Sequence, residues 1–151
     1  LTLIKKVISS NSNRSTLLLK KISNILSNKF KNKKICFLGV TFKANTDDMR
    51  ESSCLSMIPF LSNKGSFITY FDPTGEKKEL RKIKNVKFSN SIKLACYKSD
   101  LIIIHTEWNE FKSLNFKKLV NKKNFSIYDL RNVYSPEKMK KLNIKYFGIG
   151  R

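Results

Sequence analysis

Hydrophobic and polar residues follow two different patterns along the chain. Residues 14–29 carry apolar side chains three and four positions apart, with lysine and asparagine between them, which predicts an amphipathic helix. From residue 34 onward the apolar residues instead form short continuous runs, as in strands that are buried on both faces. These runs predict six strands, at residues 34–39, 66–71, 86–88, 100–106, 124–129 and 144–150.

The segments between these runs predict short helices. Ser52 and Ser53 are good N-cap residues for a helix that ends near residues 63–65, and Pro59 predicts a kink in it unless Pro59 lies in the first turn. One of the later helices is predicted to bury Leu94. The later helices are predicted at residues 75–82, 90–99, 115–123 and 135–142.

Alternation of strands and helices indicates an α/β fold. The sequence therefore predicts a Rossmann-like, doubly wound domain with a mainly parallel sheet, preceded by an N-terminal amphipathic helix. We divide the chain into residues 1–33, the helix with a linker, and residues 34–151, the α/β domain. Because the chain begins with Leu1 rather than methionine, we expect it to be part of a longer or trimmed protein.

The composition allows a folded core but leaves the charge to be interpreted. The 151 residues are 40% hydrophobic, and no apolar run approaches the roughly 18 residues of a membrane helix, so we expect no membrane partner. The formal net charge of +20 makes a basic nucleic-acid-binding module an alternative function. The lysines are scattered along the chain without clustered aromatic-basic segments, so we expect no nucleic-acid partner.

The three cysteines, Cys36, Cys54 and Cys96, form no C-x-x-C pair. An odd number of widely spaced cysteines indicates neither a disulfide framework nor a zinc site, and we predict no bound metal. Free thiols are typical of a reducing compartment, so we expect a cytoplasmic protein. Cys36 lies within an apolar run and is interpreted as a small core residue.

Charged side chains follow the predicted strands where those strands end. In open α/β sheets, ligands bind at this carboxyl edge. The cations there are Lys43, Arg50 and Arg131, and both lysine and arginine suit phosphate, so a phosphorylated or nucleotide ligand is predicted. For Arg50 an alternative is a local ion pair with Asp47 or Asp48 that only pins the loop.

The sequence contains no convincing catalytic set. The first strand leads into G-V-T-F-K, without the G-x-G-x-x-G or G-x-x-x-x-G-K-[ST] pattern that holds a pyrophosphate on a helix N-terminus. His105 is the only histidine and is interpreted as structural rather than as a general base. No cysteine stands in a glycine-rich context beside a lysine or histidine that would lower its pKa, so no catalytic residue is predicted.

Five segments in series carry a family resemblance. Over about residues 14–151 the chain resembles the C-terminal, UDP-binding part of the UDP-glucose/GDP-mannose dehydrogenase family. The DLRN sequence and the GIGR ending are more similar to the UDP-glucose branch than to the GDP-mannose branch. The segments are KICFLGVTFKANTDDMRESS, YFDP, IIIHTEWNEF, YDLRNVYSPE and GIGR.

The resemblance implies a nucleotide-sugar-binding domain preceded by the end of a long central helix, through which the family forms homodimers. It implies an oxidoreductase that converts UDP-glucose to UDP-glucuronate with two NAD. The family's NAD-binding domain and its nucleophilic cysteine match nothing in these 151 residues, so we expect this chain to be inactive alone. An inactive remnant of such an enzyme is the remaining alternative.

The resemblance also implies roles for single residues. Phe42 and Lys43 in the F-K motif and Arg131 in the D-L-R motif match substrate-binding positions. Arg50 in the R-E-S motif matches an arginine that reaches NAD across the cleft. His105 stands where an aliphatic residue is expected, and no role is predicted for it.

Two further motifs are interpreted as architecture rather than chemistry. Thr106, Glu107 and Trp108 match the family's T-E-W sequence, which we assign to the walls of the cleft. Asp72 and Pro73 match its strand-end turn.

Overall fold

Six parallel strands form the centre of the fold in the computed structural model, which describes residues 13–151. Their order across the sheet is β3-β2-β1-β4-β5-β6, the order of a doubly wound Rossmann sheet. The predicted fold class is confirmed. The strands are β1 (Lys34–Leu38), β2 (Phe67–Phe71), β3 (Val86–Phe88), β4 (Leu101–Ile104), β5 (Ser126–Asp129) and β6 (Lys145–Phe147).

Helices precede and connect these strands in the predicted sequence order. The segment predicted as a helix at 75–82 contains only a 3₁₀ turn at Lys78–Leu80, and a second 3₁₀ turn lies at Asn109–Phe111. The helices are α1 (Asn13–Ile25), α2 (Cys54–Asn63), α3 (Ile92–Cys96), α4 (Phe116–Val120) and α5 (Pro136–Lys141).

The predicted end of α1 at residue 29 is wrong because the backbone turns left-handed before it. Ser27 and Asn28 have φ values of 53° and 60°, which end a right-handed helix. The Asn28 amide donates to the Ser23 carbonyl at 2.8 Å and closes this turn. Helix α2, by contrast, continues through Pro59 to Asn63.

The predicted burial of Leu94 is also wrong, since 64% of this residue is exposed. Helix α3 is short: Ser91 caps it by accepting a hydrogen bond from the Leu94 amide at 3.2 Å. Its buried side consists of Ala95 and Cys96, and Leu94 falls on the opposite side.

The core has two halves, one on each face of the sheet, because successive side chains along a strand point to opposite faces. In β1, Ile35 and Phe37 join the cluster that packs against α1 and α2. Cys36 and Leu38 join the cluster on the other face, which includes residues of α3, α4 and α5. The placement of Cys36 in the core is confirmed by its complete burial.

Helix α1 packs into the same core as the sheet. Leu18, Leu19 and Ile22 are at most 5% exposed and belong to the cluster that contains Ile35. The domain division at residue 33 stays a prediction. Within residues 13–151, no helix has the length and apolar character needed to cross a membrane.

The strand order reverses direction between β1 and β4. The connections from these two neighbouring strands run to opposite sides, which opens a crevice at their carboxyl ends. The segments that follow β1, β2, β4 and β5 meet at this edge, which we call the rim.

Candidate functional site

The segment after β1, residues 39–53, forms the centre of the rim and is called the β1 loop. It begins with Gly39, whose φ of +78° is one that L side chains rarely adopt. A Cβ atom added to Gly39 would lie 2.6 Å from the Cβ of Thr106, so the loop leaves β1 in direct contact with the segment after β4. The Gly39 amide donates to the Phe71 carbonyl at 2.8 Å, which fixes it beside the end of β2.

Two side chains fix the backbone of Val40 in the first turn of this loop. The Asp72 carboxylate, buried after β2, accepts the Val40 amide at 2.9 Å. The Ser52 hydroxyl, from the far end of the loop, donates to the Val40 carbonyl at 2.5 Å. A nucleotide-binding turn would offer its amides to a pyrophosphate here, but the Val40 amide is already bonded inside the protein. This turn therefore does not fit a dinucleotide.

Arg131, two residues after β5, reaches back to both neighbouring segments of the rim. Its Nε donates to the His105 carbonyl at 3.1 Å, and its Nη2 donates to the Phe42 carbonyl at 3.2 Å. The guanidinium thus bridges the end of β4 and the β1 loop, one residue from Lys43. Since a guanidinium carries five N–H donors, three remain to bind an anion.

Phe42 and Lys43 are exposed at the rim. The Phe42 residue is 45% exposed, and its amide donates to the Asp48 carbonyl at 3.0 Å. The Thr41 hydroxyl donates to the Lys43 carbonyl at 2.9 Å and shapes the backbone there. Among residues 13–151 the Lys43 ammonium makes no hydrogen bond or ion pair, so it can interact with a ligand without breaking one.

Arg50 lies at the outer part of the β1 loop, where its side chain is 89% exposed. It makes a bidentate ion pair with Asp48, with Nε and Nη2 each 3.1 Å from a carboxylate oxygen. This pair holds the pKa of the Asp48 carboxyl below its ordinary value. The local ion pair considered for Arg50 is therefore present, while its predicted contact with NAD stays a prediction.

Asp129, the last residue of β5, fixes the turn that carries Arg131. Its fully buried carboxylate accepts the Arg131 amide at 3.1 Å and the Tyr134 amide at 3.0 Å. The Tyr146 hydroxyl donates to the same carboxylate at 2.6 Å. Burial, together with this hydrogen bond, raises the pKa of Tyr146 to about 12. The phenol thus stays protonated and keeps donating.

The C-terminal segment is tied to the same turn by Asn132. Its Nδ2 donates to the Ile149 carbonyl at 2.9 Å, and its Oδ1 accepts the Ile149 amide at 2.8 Å. A Cβ atom on Gly148 would lie 2.6 Å from this Oδ1, which explains the glycine. The Arg151 guanidinium donates to the Tyr134 carbonyl at 2.6 Å. The two family-like motifs at the C-terminal end of the chain therefore hold each other in place.

His105 lies below the rim, 4% exposed, at the junction of three segments. Its Nε2 is 2.9 Å from the Ser53 hydroxyl at the start of α2. Its Nδ1 is 2.9 Å from the Thr106 hydroxyl, which in turn donates to the Thr41 carbonyl at 3.0 Å. No sequence pattern predicted these contacts, since the partners are up to 65 positions apart.

The imidazole of His105 is neutral. Burial, followed by the nearby cations Arg131 and Arg14, lowers its pKa from the ordinary 6.5 to about 3. A neutral ring has one N–H donor and one acceptor nitrogen, which suits two fixed partners but not a proton shuttle near pH 7.

The thiols in this part of the molecule are structural. Cys36, Cys54 and Cys96 are free and buried, and the Cys36 and Cys96 sulfur atoms lie 4.0 Å apart. Burial raises the pKa of Cys36 and of Cys54 well above the ordinary value, so neither is a ready nucleophile. No group of three or more metal-binding side chains occurs within the described residues.

The structure thus brings the substrate-binding candidates together, and Arg50 is linked to them through Asp48, whose carbonyl accepts the Phe42 amide. Phe42, Lys43 and Arg131 share the crevice between β1 and β4, although 89 positions separate Phe42 from Arg131. Thr106 is buried against the β1 loop, and Trp108 packs on the core, while their assignment to the walls of a cleft stays a prediction.

Comparison with known proteins gives one family. The profile described as "UDP-glucose/GDP-mannose dehydrogenase family, UDP binding domain" matches residues 36–136. The UDP-glucose 6-dehydrogenase of Rickettsia felis is 40% identical over 98% of this chain, and that of Rhizobium meliloti is 33% identical over 99% of it. In both cases the aligned region is 34% of the relative, so the chain spans about a third of their length.

Solved structures agree on the fold. The NDP-N-acetyl-D-galactosaminuronic acid dehydrogenase of Methanosarcina mazei aligns with 92% of this chain at a TM-score of 0.79 and 22% identity. The GDP-mannose dehydrogenase of Pseudomonas aeruginosa aligns with 94% of it at a TM-score of 0.63 and 22% identity. These alignments cover 30% and 32% of the two structures, respectively.

Proposed function

The chain belongs to the UDP-glucose/GDP-mannose dehydrogenase family, as its UDP binding domain, and from this premise we propose that it is the nucleotide-sugar-binding domain of a UDP-glucose 6-dehydrogenase. The complete enzyme would oxidise UDP-glucose to UDP-glucuronate with two NAD. The observation that carries the proposal is the Arg131 guanidinium, which bonds the Phe42 carbonyl and so lies beside Lys43 at the switch point of the sheet.

The diphosphate of the nucleotide sugar is the group that fits these cations. Arg131 keeps three N–H donors in a plane, which suits two phosphate oxygens, and Lys43 adds a mobile point charge. The half-exposed Phe42 ring, next to both, offers an apolar surface to the uracil or the sugar. Binding would thus use one loop from each side of the crevice, and neither cation must first leave a carboxylate.

The first turn after β1 does not fit the pyrophosphate of NAD, because Asp72 and Ser52 already bond the backbone of Val40. We therefore propose that this chain binds and orients the substrate and supplies no catalytic group. Arg50, exposed and in reach of solvent, is the residue proposed to contact NAD held elsewhere in the enzyme. We expect purified chain with UDP-glucose and NAD to produce no NADH.

Two further features belong to the same proposal. The family resemblance extends the proposal to a homodimer that forms, in the complete enzyme, through the central helix of which α1 (Asn13–Ile25) is the end. The three free cysteines support a cytoplasmic location, since free thiols persist in a reducing compartment.

The test is UDP-glucose binding measured by calorimetry on the chain and on single alanine variants. Lys43→Ala and Arg131→Ala should each weaken binding by roughly 1.5 to 3 kcal/mol, the cost of losing a hydrogen bond to a charged group. Lys87 is exposed on the edge strand β3, away from the rim. Lys87→Ala removes one positive charge, as Lys43→Ala does, and should change the affinity for UDP-glucose little. Unchanged affinity in both rim variants would refute the assignment of the site.

A further inference from the structure

We propose that His105 is a positioning residue that orders the substrate-binding loop before the ligand arrives. The proposal rests on the proposed function for what the loop binds, but not for what the histidine does to the loop. His105 is the only histidine in the sequence. Its contacts join α2, the β1 loop and Arg131.

The directions of the hydrogen bonds follow from the last acceptor in the chain of contacts. The Thr41 carbonyl can only accept, so the Thr106 hydroxyl donates its single hydrogen to it. Thr106 must then accept from His105, which places the imidazole hydrogen on Nδ1. The remaining nitrogen, Nε2, is an acceptor and receives the Ser53 hydroxyl hydrogen. Every hydrogen bond in this series thus has a defined donor and acceptor, and the neutral imidazole makes both of its bonds.

The series ends at the backbone that carries the proposed ligand contacts. Thr41 immediately precedes Phe42 and Lys43, and the Phe42 carbonyl accepts a hydrogen bond from the Arg131 guanidinium. The His105 carbonyl accepts a second hydrogen bond from the same guanidinium, donated by Nε. The imidazole of His105 therefore orients the Thr41 carbonyl through Thr106, and the backbone carbonyl of His105 orients Arg131. One residue thus positions groups on both sides of the crevice.

An aliphatic side chain at position 105 could fill the same space but could make neither hydrogen bond. The Ser53 hydroxyl would then lose its partner, and so would the hydroxyl of Thr106 on its acceptor side. A less ordered β1 loop must be fixed when ligand binds, and that ordering reduces affinity. The histidine thus pre-orders the β1 loop.

The experiment uses a matched pair of variants, His105→Asn and His105→Gln, in the 151-residue chain. Asparagine places an N–H where Nδ1 is and keeps the bond to Thr106, whereas glutamine places an oxygen where Nε2 is and keeps the bond to Ser53. Each variant loses one hydrogen bond, so both should lose similar thermal stability. Only His105→Gln should bind UDP about five- to tenfold more weakly, since it alone loses the link to Thr41.

Amide hydrogen exchange at Thr41, Phe42 and Lys43 gives a second measurement that needs no ligand. Exchange there should accelerate in His105→Gln and stay near wild type in His105→Asn. If exchange and affinity follow the loss of stability equally in both variants, the histidine is only structural and the proposal is wrong. If wild-type chain fails to bind UDP, the proposed function fails, and the exchange rates still decide the role of His105.

Discussion

At the scale of single residues, the rim is built by side chains whose hydrogen bonds end on backbone atoms. The backbone of residues 40–42 makes four such bonds, three accepted by its carbonyls and one donated by the Val40 amide. Their partners lie 12, 32, 65 and 89 positions away. The loop geometry is thus fixed by residues from three other segments, before any ligand is present. The four side chains are those of Ser52, Asp72, Thr106 and Arg131.

The buried state of His105 predicts a specific dependence of stability on pH. In the unfolded chain the imidazole takes up a proton below its ordinary pKa of 6.5, whereas in the folded protein it does so only near 3. The unfolded state therefore binds more protons in this window, and the free energy of unfolding falls as the pH is lowered. We expect a loss of about 2 kcal/mol between pH 8 and pH 5, measured by urea denaturation.

The control for this prediction is His105→Asn, which cannot titrate. Because the sequence contains one histidine, the variant should lose the dependence between pH 8 and pH 5 almost entirely. The carboxyls of Asp48 and Asp100, whose pKa values lie below the ordinary 3.8, act only in stronger acid. The same slope in both proteins would show that His105 is not the titrating group.

At the scale of elements, the sequence predicts the sheet well and the element ends poorly. Strands such as β4, with four consecutive buried residues, are recognisable because a sheet covered on both faces needs continuous apolar runs. The end of α1 depends on left-handed Ser27 and Asn28, and the side on which Leu94 falls depends on where α3 begins. Such details rest on single dihedral angles and caps, which periodicity does not resolve.

The site shows the same division between motif and geometry. The edge that holds Lys43 and Arg131 follows from the strand ends and the family resemblance, because a parallel sheet gathers its carboxyl ends. The hydrogen bonds that join Ser53, His105 and Thr41 could not be predicted, because each crosses between segments that only the folded chain brings together.

Helix α1 should contribute to stability as part of the core and not only as a connector. Ile22 is fully buried in the cluster that contains Ile35, while Leu17 on the same helix is 65% exposed. Ile22→Ala should lower the free energy of unfolding by about 2 to 5 kcal/mol, measured by urea denaturation. Leu17→Ala, the matched control, should change it by less than about 0.5 kcal/mol. Similar effects of both would mean that α1 does not pack as described.

At the scale of the whole molecule, the fold separates charges that the sequence mixes. Of the eleven acidic residues only Asp100 directly precedes a strand, Asp129 ends β5, and the other nine lie in the segments that follow β1, β2, β4 and β5. A subset of the lysines instead lies at or shortly before the start of a strand, which adds positive charge to the amino edge of the sheet. The lysines of this edge include Lys33, Lys34, Lys64, Lys84, Lys98, Lys122, Lys123 and Lys145.

This arrangement bears on the nucleic-acid alternative. Scattered lysines gave little reason to expect a polyanion, but in the folded chain a subset of them lies along one edge, opposite the proposed substrate site. Attraction of polyanions to that edge would be electrostatic and would fall steeply with salt, as for non-specific binding. It would not need Lys43 or Arg131, so it would leave the assignment of the rim unchanged.

The charged amino edge should make stability depend on ionic strength. Repulsion within a molecule of net charge +20 opposes the compact state, and salt screens it, since the Debye length falls to about 10 Å at 0.1 M. We expect the free energy of unfolding to rise by about 1 kcal/mol between 0.02 and 0.5 M NaCl.

Two charge reversals separate the effect of net charge from the effect of its location. They are Lys123→Glu at the amino edge and Lys112→Glu beside Glu110, and both lysines are exposed. Only Lys123→Glu should stabilise the protein at low salt, because Lys123 lies among the lysines of the amino edge, and high salt should remove the difference. Equal effects of the two reversals would mean that the total charge, and not its gathering by the parallel topology, sets the repulsion.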